Sequence, residues 1–217
     1  MATAKKSSKA SNTTLLVLVV DRSGSMQSIR EDMEGGIAAL IEEQSKEAGS
    51  CLVTLAQFDN EYELLADGVP VAELEPYQLV PRGATALLDA IGRTIGHVKS
   101  RLDGLDATRR PGHVLFAVIT DGMENDSQEW SRLQVMDSVK ARATEGWDFT
   151  FLGANQDAIQ EGGNIGVSAD ASLTYEASGE GARQAFSSMS AAVTRQRRGE
   201  TDRLSYTDQE RRNASGA

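Results

Sequence analysis

The chain has 217 residues, 40% of them hydrophobic and 25% charged, which is enough for one globular domain with a full core and too little for two comfortable ones. The formal net charge of −10 is unevenly spread: residues 1–12 carry +3 and residues 195–217 carry +2, leaving −15 on residues 13–194. An acidic body has no basic face to neutralise phosphates, which excludes a nucleic-acid-binding domain, and the single cysteine, Cys51, excludes an intrachain disulfide.

The two ends read as short, polar, basic tails expected to be disordered, so that the folded body spans residues 13–194. Its first element is "LLVLVV", Leu15 to Val20, an unbroken apolar run of the kind buried on both faces of a parallel sheet. Six apolar residues are too few for a signal-peptide core or a membrane span, and the expectation is a cytoplasmic protein without membrane contact. The run ends on Asp21, Ser23 and Ser25, with Gly24 expected to let the backbone turn between the hydroxyls. A helix follows: Ser28 and Glu31 have capping-box spacing, Ile29, Met33, Ile37, Leu40 and Ile41 recur at helical intervals, and Gly49 suits the stop. Gly35 and Gly36 in its middle disfavour helix by about 1 kcal/mol each, which suggests close packing or a kink there.

Cys51 to Phe58 is the next strand, where Cys51 packs as a small hydrophobe. After "DN" comes Glu61 to Ala66, ending at Asp67-Gly68; the pair reads as a hairpin, which makes one edge strand antiparallel. "VPVAELEPYQLVPRG" holds three of the four prolines and reads as loop. A helix resumes at Thr85, with Leu88, Ile91, Ile95, Val98 and Leu102 on one face. "HVLFAVITDG" is a second buried strand ending in an acid, Asp121. A helix over about 128–145, the strand "WDFTFLG", a short helix after Asn155, a short strand near Leu173 and a helix over about 180–194 complete the body. Alternating strands and helices of this length predict an α/β fold with a mainly parallel sheet and helices on both faces. In such sheets the functional crevice lies beyond the carboxyl ends of the strands, where Asp21 and Asp121 both stand.

Two carboxylates with several hydroxyls form an all-oxygen donor set, which suits a hard divalent cation such as Mg²⁺, or Mn²⁺. Neutral hydroxyls leave the ion electron-poor, so an external carboxylate is attracted to an open position. No His or Cys stands near these residues in sequence, which argues against zinc. Alone, "DRSGS" is an ordinary turn or helix cap; it gains weight from "GATALLDA" and "VITDG" downstream.

Asp21-Arg22-Ser23-Gly24-Ser25 after a strand, Thr85 in "GAT", and Asp121-Gly122 after a second strand resemble the three-part metal-ion-dependent adhesion site of von Willebrand factor A domains. The resemblance covers residues 13–194. It implies a Rossmann-like, doubly wound six-stranded sheet with one antiparallel edge strand and order 3-2-1-4-5-6. It also implies that Ser23 and Ser25 bind the metal directly and that Thr85 does so directly or through water. Asp21 and Asp121 would hold coordinated waters and orient the serines, and a partner protein's Asp or Glu would take the last position. Among the family's contexts are AAA+ ATPase systems, a possible partner that nothing in these residues selects.

Around this set, Asp89 reads as an exposed helix acid with a supporting role as the alternative. Glu124, Asn125 and Asp126 read as a rim that selects partners, or as a polar loop with Asp126 or Ser127 capping the next helix. Asn155 reads as a helix cap beside a rim loop. The expected function is a non-enzymatic, Mg²⁺-dependent protein-binding module. The alternatives are a Mg²⁺-dependent phosphoryl-transfer enzyme with Asp21 as nucleophile, or a self-assembling scaffold in which the metal only braces loops. The first lacks a second acid two residues on, where Ser23 stands, and has neither a strand-end lysine nor a phosphate-binding loop.

Overall fold

A computed structural model describes residues 12–154 and 157–216. Six strands form one sheet: β1 (Thr13–Asp21), β2 (Ser50–Phe58), β3 (Tyr62–Pro70), β4 (His113–Thr120), β5 (Trp147–Ala154) and β6 (Ser172–Tyr175). Their order is β3-β2-β1-β4-β5-β6, parallel throughout except for the β2–β3 pair. β1, apolar from Leu15 to Val20, lies near the middle, and its residues from Thr14 to Asp21 are buried because both its neighbours and both helical layers cover it. Register places Asp21 beside Phe58, and Val20 beside Ile119, so that the Asp21 side chain reaches Thr120 at the end of β4. This strand order makes neighbours of β1 and β4, distant in sequence, and so joins the two acids at one end of the sheet.

The helices are α1 (Arg30–Lys46), α2 (Leu87–Asp103), α3 (Arg132–Thr144), α4 (Ala158–Asn164), α5 (Gly179–Arg197) and α6 (Asp208–Ser215). α1 packs on α5, and α2 on α3. A methyl group on Gly36 would lie 2.1 Å from the Phe186 ring, so the bare backbone of α1 admits α5 at close range; Gly35, by contrast, faces open space.

Several local expectations are corrected. A 3₁₀ turn over Gly24–Ile29 precedes α1, which starts without a side-chain cap; Ser28 Oγ instead donates to the Ser25 carbonyl at 3.4 Å. Gly24 is absent from the positive-φ glycines, and its N–H donates to Gly83 O at 3.3 Å. β3 runs on through Asp67-Gly68 to Pro70 because register shifts opposite Val53–Ala56 absorb the irregularity.

The largest correction concerns the carboxyl end. Of residues 195–217, expected to be disordered, the described 195–216 instead extend α5 to Arg197 and form α6, with Leu204, Tyr206 and Ala214 buried. Three apolar side chains are few, yet they suffice because polar groups fix the segment as well. Arg195 pairs with Glu210 at 2.7 Å, Thr207 and Glu210 form a capping box, and Arg211 donates to the carbonyls of Ser172, Ala169 and Asp170. The six arginines that read as a solvated basic tail therefore include structural ones. Of the amino-terminal tail, residues 1–12, all but Asn12 lie outside the described residues, as does Asn155. No helix among the described residues is long and apolar enough to cross a membrane.

Candidate metal centre

Three chain segments meet at the carboxyl end of the sheet: the β1 loop with Asp21, Ser23 and Ser25, the segment before α2 with Thr85, and the end of β4 with Asp121. Asp21 is fully buried; its Oδ1 accepts the Ser23 N–H at 2.6 Å and its Oδ2 accepts the Thr120 hydroxyl at 2.5 Å. Ser23 Oγ and Ser25 Oγ are 3.1 Å apart, and Ser25 Oγ donates to Asp121 Oδ1 at 2.6 Å. Gly122 marks the space between the segments. A methyl group built there would lie 3.1 Å from Thr85 Oγ1, 3.6 Å from Asp21 Oδ2 and 3.7 Å from Ser25 Oγ. Asp21, Ser25 and Thr85 thus present oxygens to one small space beside Gly122, and Ser23 and Asp121 adjoin it through their contacts with Ser25 Oγ.

The electrostatics point the same way. Burial pushes the Asp21 carboxyl up to about 6, against the hydrogen bonds from Thr120 and Ser23, and the neighbouring Asp121 adds to the rise. Burial raises the Asp121 carboxyl too, opposed by its bond from Ser25. The described residues near these acids bring hydroxyls and no cationic side chain to them, so a divalent cation would reverse the cost of ionising both. Among the described residues no cluster of three or more His, Cys, Asp or Glu is arranged for a metal. The hydroxyls would therefore complete any donor set here, an all-oxygen one suited to a divalent cation.

The surrounding residues turn out to be structural. Asp89 is buried, and its carboxylate accepts three successive backbone N–H groups, from Gln128 at 2.9 Å, Glu129 at 2.9 Å and Trp130 at 2.7 Å. It was expected to be exposed, since nothing in a helix sequence reveals that a distant loop will fold over one of its faces. Glu124 does not face outward as a rim residue; it accepts the N–H groups of Asp126 and Ser127 and, across the gap, that of Leu88 at 2.9 Å. Ser127 Oγ takes the Asp89 N–H at 3.1 Å. The first turn of α2 has no cap of its own and is capped by these two residues of another loop. Asn125 Oδ1 accepts the Thr85 N–H at 2.9 Å, and the Asn125 N–H donates to Thr85 O at 3.1 Å. Neither Asp126 nor Ser127 caps α3, whose cap is Ser131 in a capping box with Gln134.

Asp59, read in sequence only as part of a turn, is fully buried beside the centre, between Arg22 and Arg82. No sequence signal marks it, because both of its cationic partners come from other loops.

No protein-family model matches the sequence, and no curated protein does. Solved structures do match in shape. A von Willebrand factor type A protein from Catenulispora acidiphila aligns over 84% of this chain and 43% of its own, with a TM-score of 0.54 and 14% identity. The chain has the von Willebrand factor A fold. Proximal thread matrix protein 1 from the mussel byssus shares this fold at a TM-score of 0.60 and 14% identity, over 84% of this chain and 46% of that one. A second structure of the mussel protein carries a zinc-occupied MIDAS motif. The pilus adhesin SpaC from Lactobacillus rhamnosus GG matches at a TM-score of 0.62 and 14% identity, over 88% of this chain and 31% of the adhesin. The chain spans less than half the length of each of these proteins.

Proposed function

We propose that the protein is a non-enzymatic, Mg²⁺-dependent protein-binding module. Ser23 and Ser25 would hold the ion directly, Thr85 directly or through water, and Asp21 and Asp121 chiefly through water, with one position left for a partner's Asp or Glu. The observation that carries this reading is the Gly122 cradle, where oxygens of three segments converge without a cationic partner among the described residues. The mussel protein's metal-occupied motif and the adhesin's fold are consistent with it.

Two further features support a protein as the partner and binding as the task. Of the five exposed large apolar residues among the described ones, four flank this end of the sheet, between 46% and 65% exposed. Met123 stands two residues beyond Asp121, and Val80 two residues before Arg82, whose N–H donates to Arg22 O. Leu133 and Ile159 lie in the first turns of α3 and α4, tied together by the Arg132–Glu161 pair at 3.2 Å. Apolar side chains around a polar centre are the usual make-up of a protein interface. The usual catalytic bases lie elsewhere: His113 opens β4 at the far end of the sheet, and His97 pairs with Asp67 at 3.0 Å. The described lysines, Lys46, Lys99 and Lys140, sit toward the carboxyl ends of α1, α2 and α3, away from any transferring phosphoryl group at Asp21.

Isothermal titration with Mg²⁺ tests the reading. Saturable heat is expected from the wild type and none from Asp21→Ala or Gly122→Ala, the latter filling the cradle without removing a charge. Equal, null heats from all three would overturn it. A cytoplasmic setting and an AAA+ ATPase partner remain part of the proposal; pull-down from native extract in Mg²⁺ and in EDTA tests the partner.

A further inference from the structure

We infer that Asp59 is a positioning residue for the metal centre, holding Thr85 at its working distance from Ser23 and Ser25. The inference rests on the metal-binding reading above and concerns a residue outside its motif.

Thr85 is the only hydroxyl donor of the set that does not come from the β1 loop, so its place depends on what joins the two segments. That junction is Asp59. Its Oδ2 accepts Arg82 Nε at 2.6 Å and lies 3.1 Å from Arg22 Nε, while its Oδ1 accepts the Glu61 N–H at 2.6 Å. Its backbone carbonyl accepts the N–H of Ala86, the residue after Thr85, at 2.9 Å. One residue therefore holds the β1 loop through Arg22, the segment before Thr85 through Arg82, and the segment after it through Ala86.

Backbone bonds complete the lock: Arg82 N–H to Arg22 O at 2.8 Å, Gly24 N–H to Gly83 O at 3.3 Å, and Arg22 N–H to Phe58 O at 2.8 Å. Gly83 has φ +68, and a methyl group there would lie 2.2 Å from Asn60 Oδ1 and 3.2 Å from Asp59 Cβ, so the chain passes directly over Asp59 in a conformation suited to glycine. On its opposite side Thr85 is fixed by Asn125. The threonine is thus held between two clamps, of which the Asp59 clamp alone is built on charge. Arg22 is buried, with Nη1 on Glu63 at 2.9 Å, and Arg82 also pairs with Glu61. Such a charge-assisted network has well-defined geometry but depends on every member.

The test is Mg²⁺ affinity by isothermal titration, with Asp59→Asn and Thr85→Ala singly and combined. Asn keeps an acceptor for Glu61 while removing the charge that holds both arginines. A loss of roughly tenfold is expected for Asp59→Asn, the scale on which outer partners of metal ligands act. In the Thr85→Ala background the same change should cost nothing further, because Asp59 acts through Thr85. In a Ser25→Ala background it should cost its full tenfold. Unchanged affinity, or an equal loss in the Thr85→Ala and Ser25→Ala backgrounds, would overturn the inference while leaving metal binding intact. A wild type that takes up no Mg²⁺ would overturn both. Should Asp59→Asn fail to fold, Arg82→Gln on the exposed side of the pair carries the same comparison and the same two outcomes.

Discussion

Two groups of acids stand side by side at the carboxyl end of the sheet, and their lone pairs are used in opposite ways. Asp89 and Glu124 are filled by the chain itself: between them they accept six backbone N–H groups. Asp21 and Asp121 are bonded mostly by hydroxyls, which can turn away to serve another acceptor or a cation. The first group turns residues 121–131 into a fixed wall. The second is held in place by that wall and left short of positive charge. Acids of one chemical type therefore divide into scaffold and site according to which donors surround them.

The largest effect should come from removing the scaffold. Asp89→Ala strips three partly buried backbone hydrogen bonds of their acceptor and should destabilise the fold by about 2 kcal/mol, measured by urea unfolding in EDTA. Loss of less than about 1 kcal/mol would mean that water reaches the loop and that the wall is not fixed.

Removing the charge of the site should do the reverse. Ionised Asp21 is raised to about 6 by burial, so without metal the folded state resists its charge at neutral pH. Asp21→Asn should therefore stabilise the EDTA-treated protein by about 2 kcal/mol at pH 7 while abolishing any response to Mg²⁺. A destabilised Asn variant would place Asp21 with the scaffold acids and erase the distinction.

The pH dependence sharpens the same contrast by a smaller amount. Folded Asp21 holds its proton up to about pH 6, whereas the unfolded chain releases it near pH 4. The folded state therefore binds the extra proton, and metal-free stability should fall as pH rises from about 4 through 6 and level off above. Protons and metal compete for the carboxylate, so Mg²⁺ affinity should be flat above pH 7 and about tenfold weaker at pH 5. Rising Mg²⁺ affinity on acidification would contradict this assignment.

The smallest effect belongs to the end of the wall. Ser131→Ala removes the α3 capping box, which is exposed, and should cost about 1 kcal/mol without changing Mg²⁺ affinity. A change in affinity would show that the wall is less rigid than Asp89 and Glu124 make it.

What was legible in the sequence was whatever repeats at short range or stands at a strand end. The apolar run from Leu15 to Val20 declared a central strand, since only a strand covered on both sides tolerates six consecutive apolar residues. The alternation of strands and helices gave the layers, and the hydroxyl-rich motif named five residues, of which Asp21, Ser25 and Thr85 stand beside Gly122 while Ser23 and Asp121 contact Ser25. Boundaries failed where neighbours intervened: the cap of α1 was misread because a 3₁₀ turn comes first, and residues 195–217 because their few apolar side chains are supported by arginine contacts.

The sequence by itself determined the type of fold and pointed to an oxygen-rich donor set, because both are written in local patterns of polarity and hydroxyl content. Only the tertiary structure decided which acids are scaffold and which are site. Asp89 finds its donors some 40 positions along the chain and Arg82 reaches back 23 to Asp59, and no local pattern encodes a pairing made by the crossing of strands and loops. A carboxylate's role is set by the donors that the fold places around it.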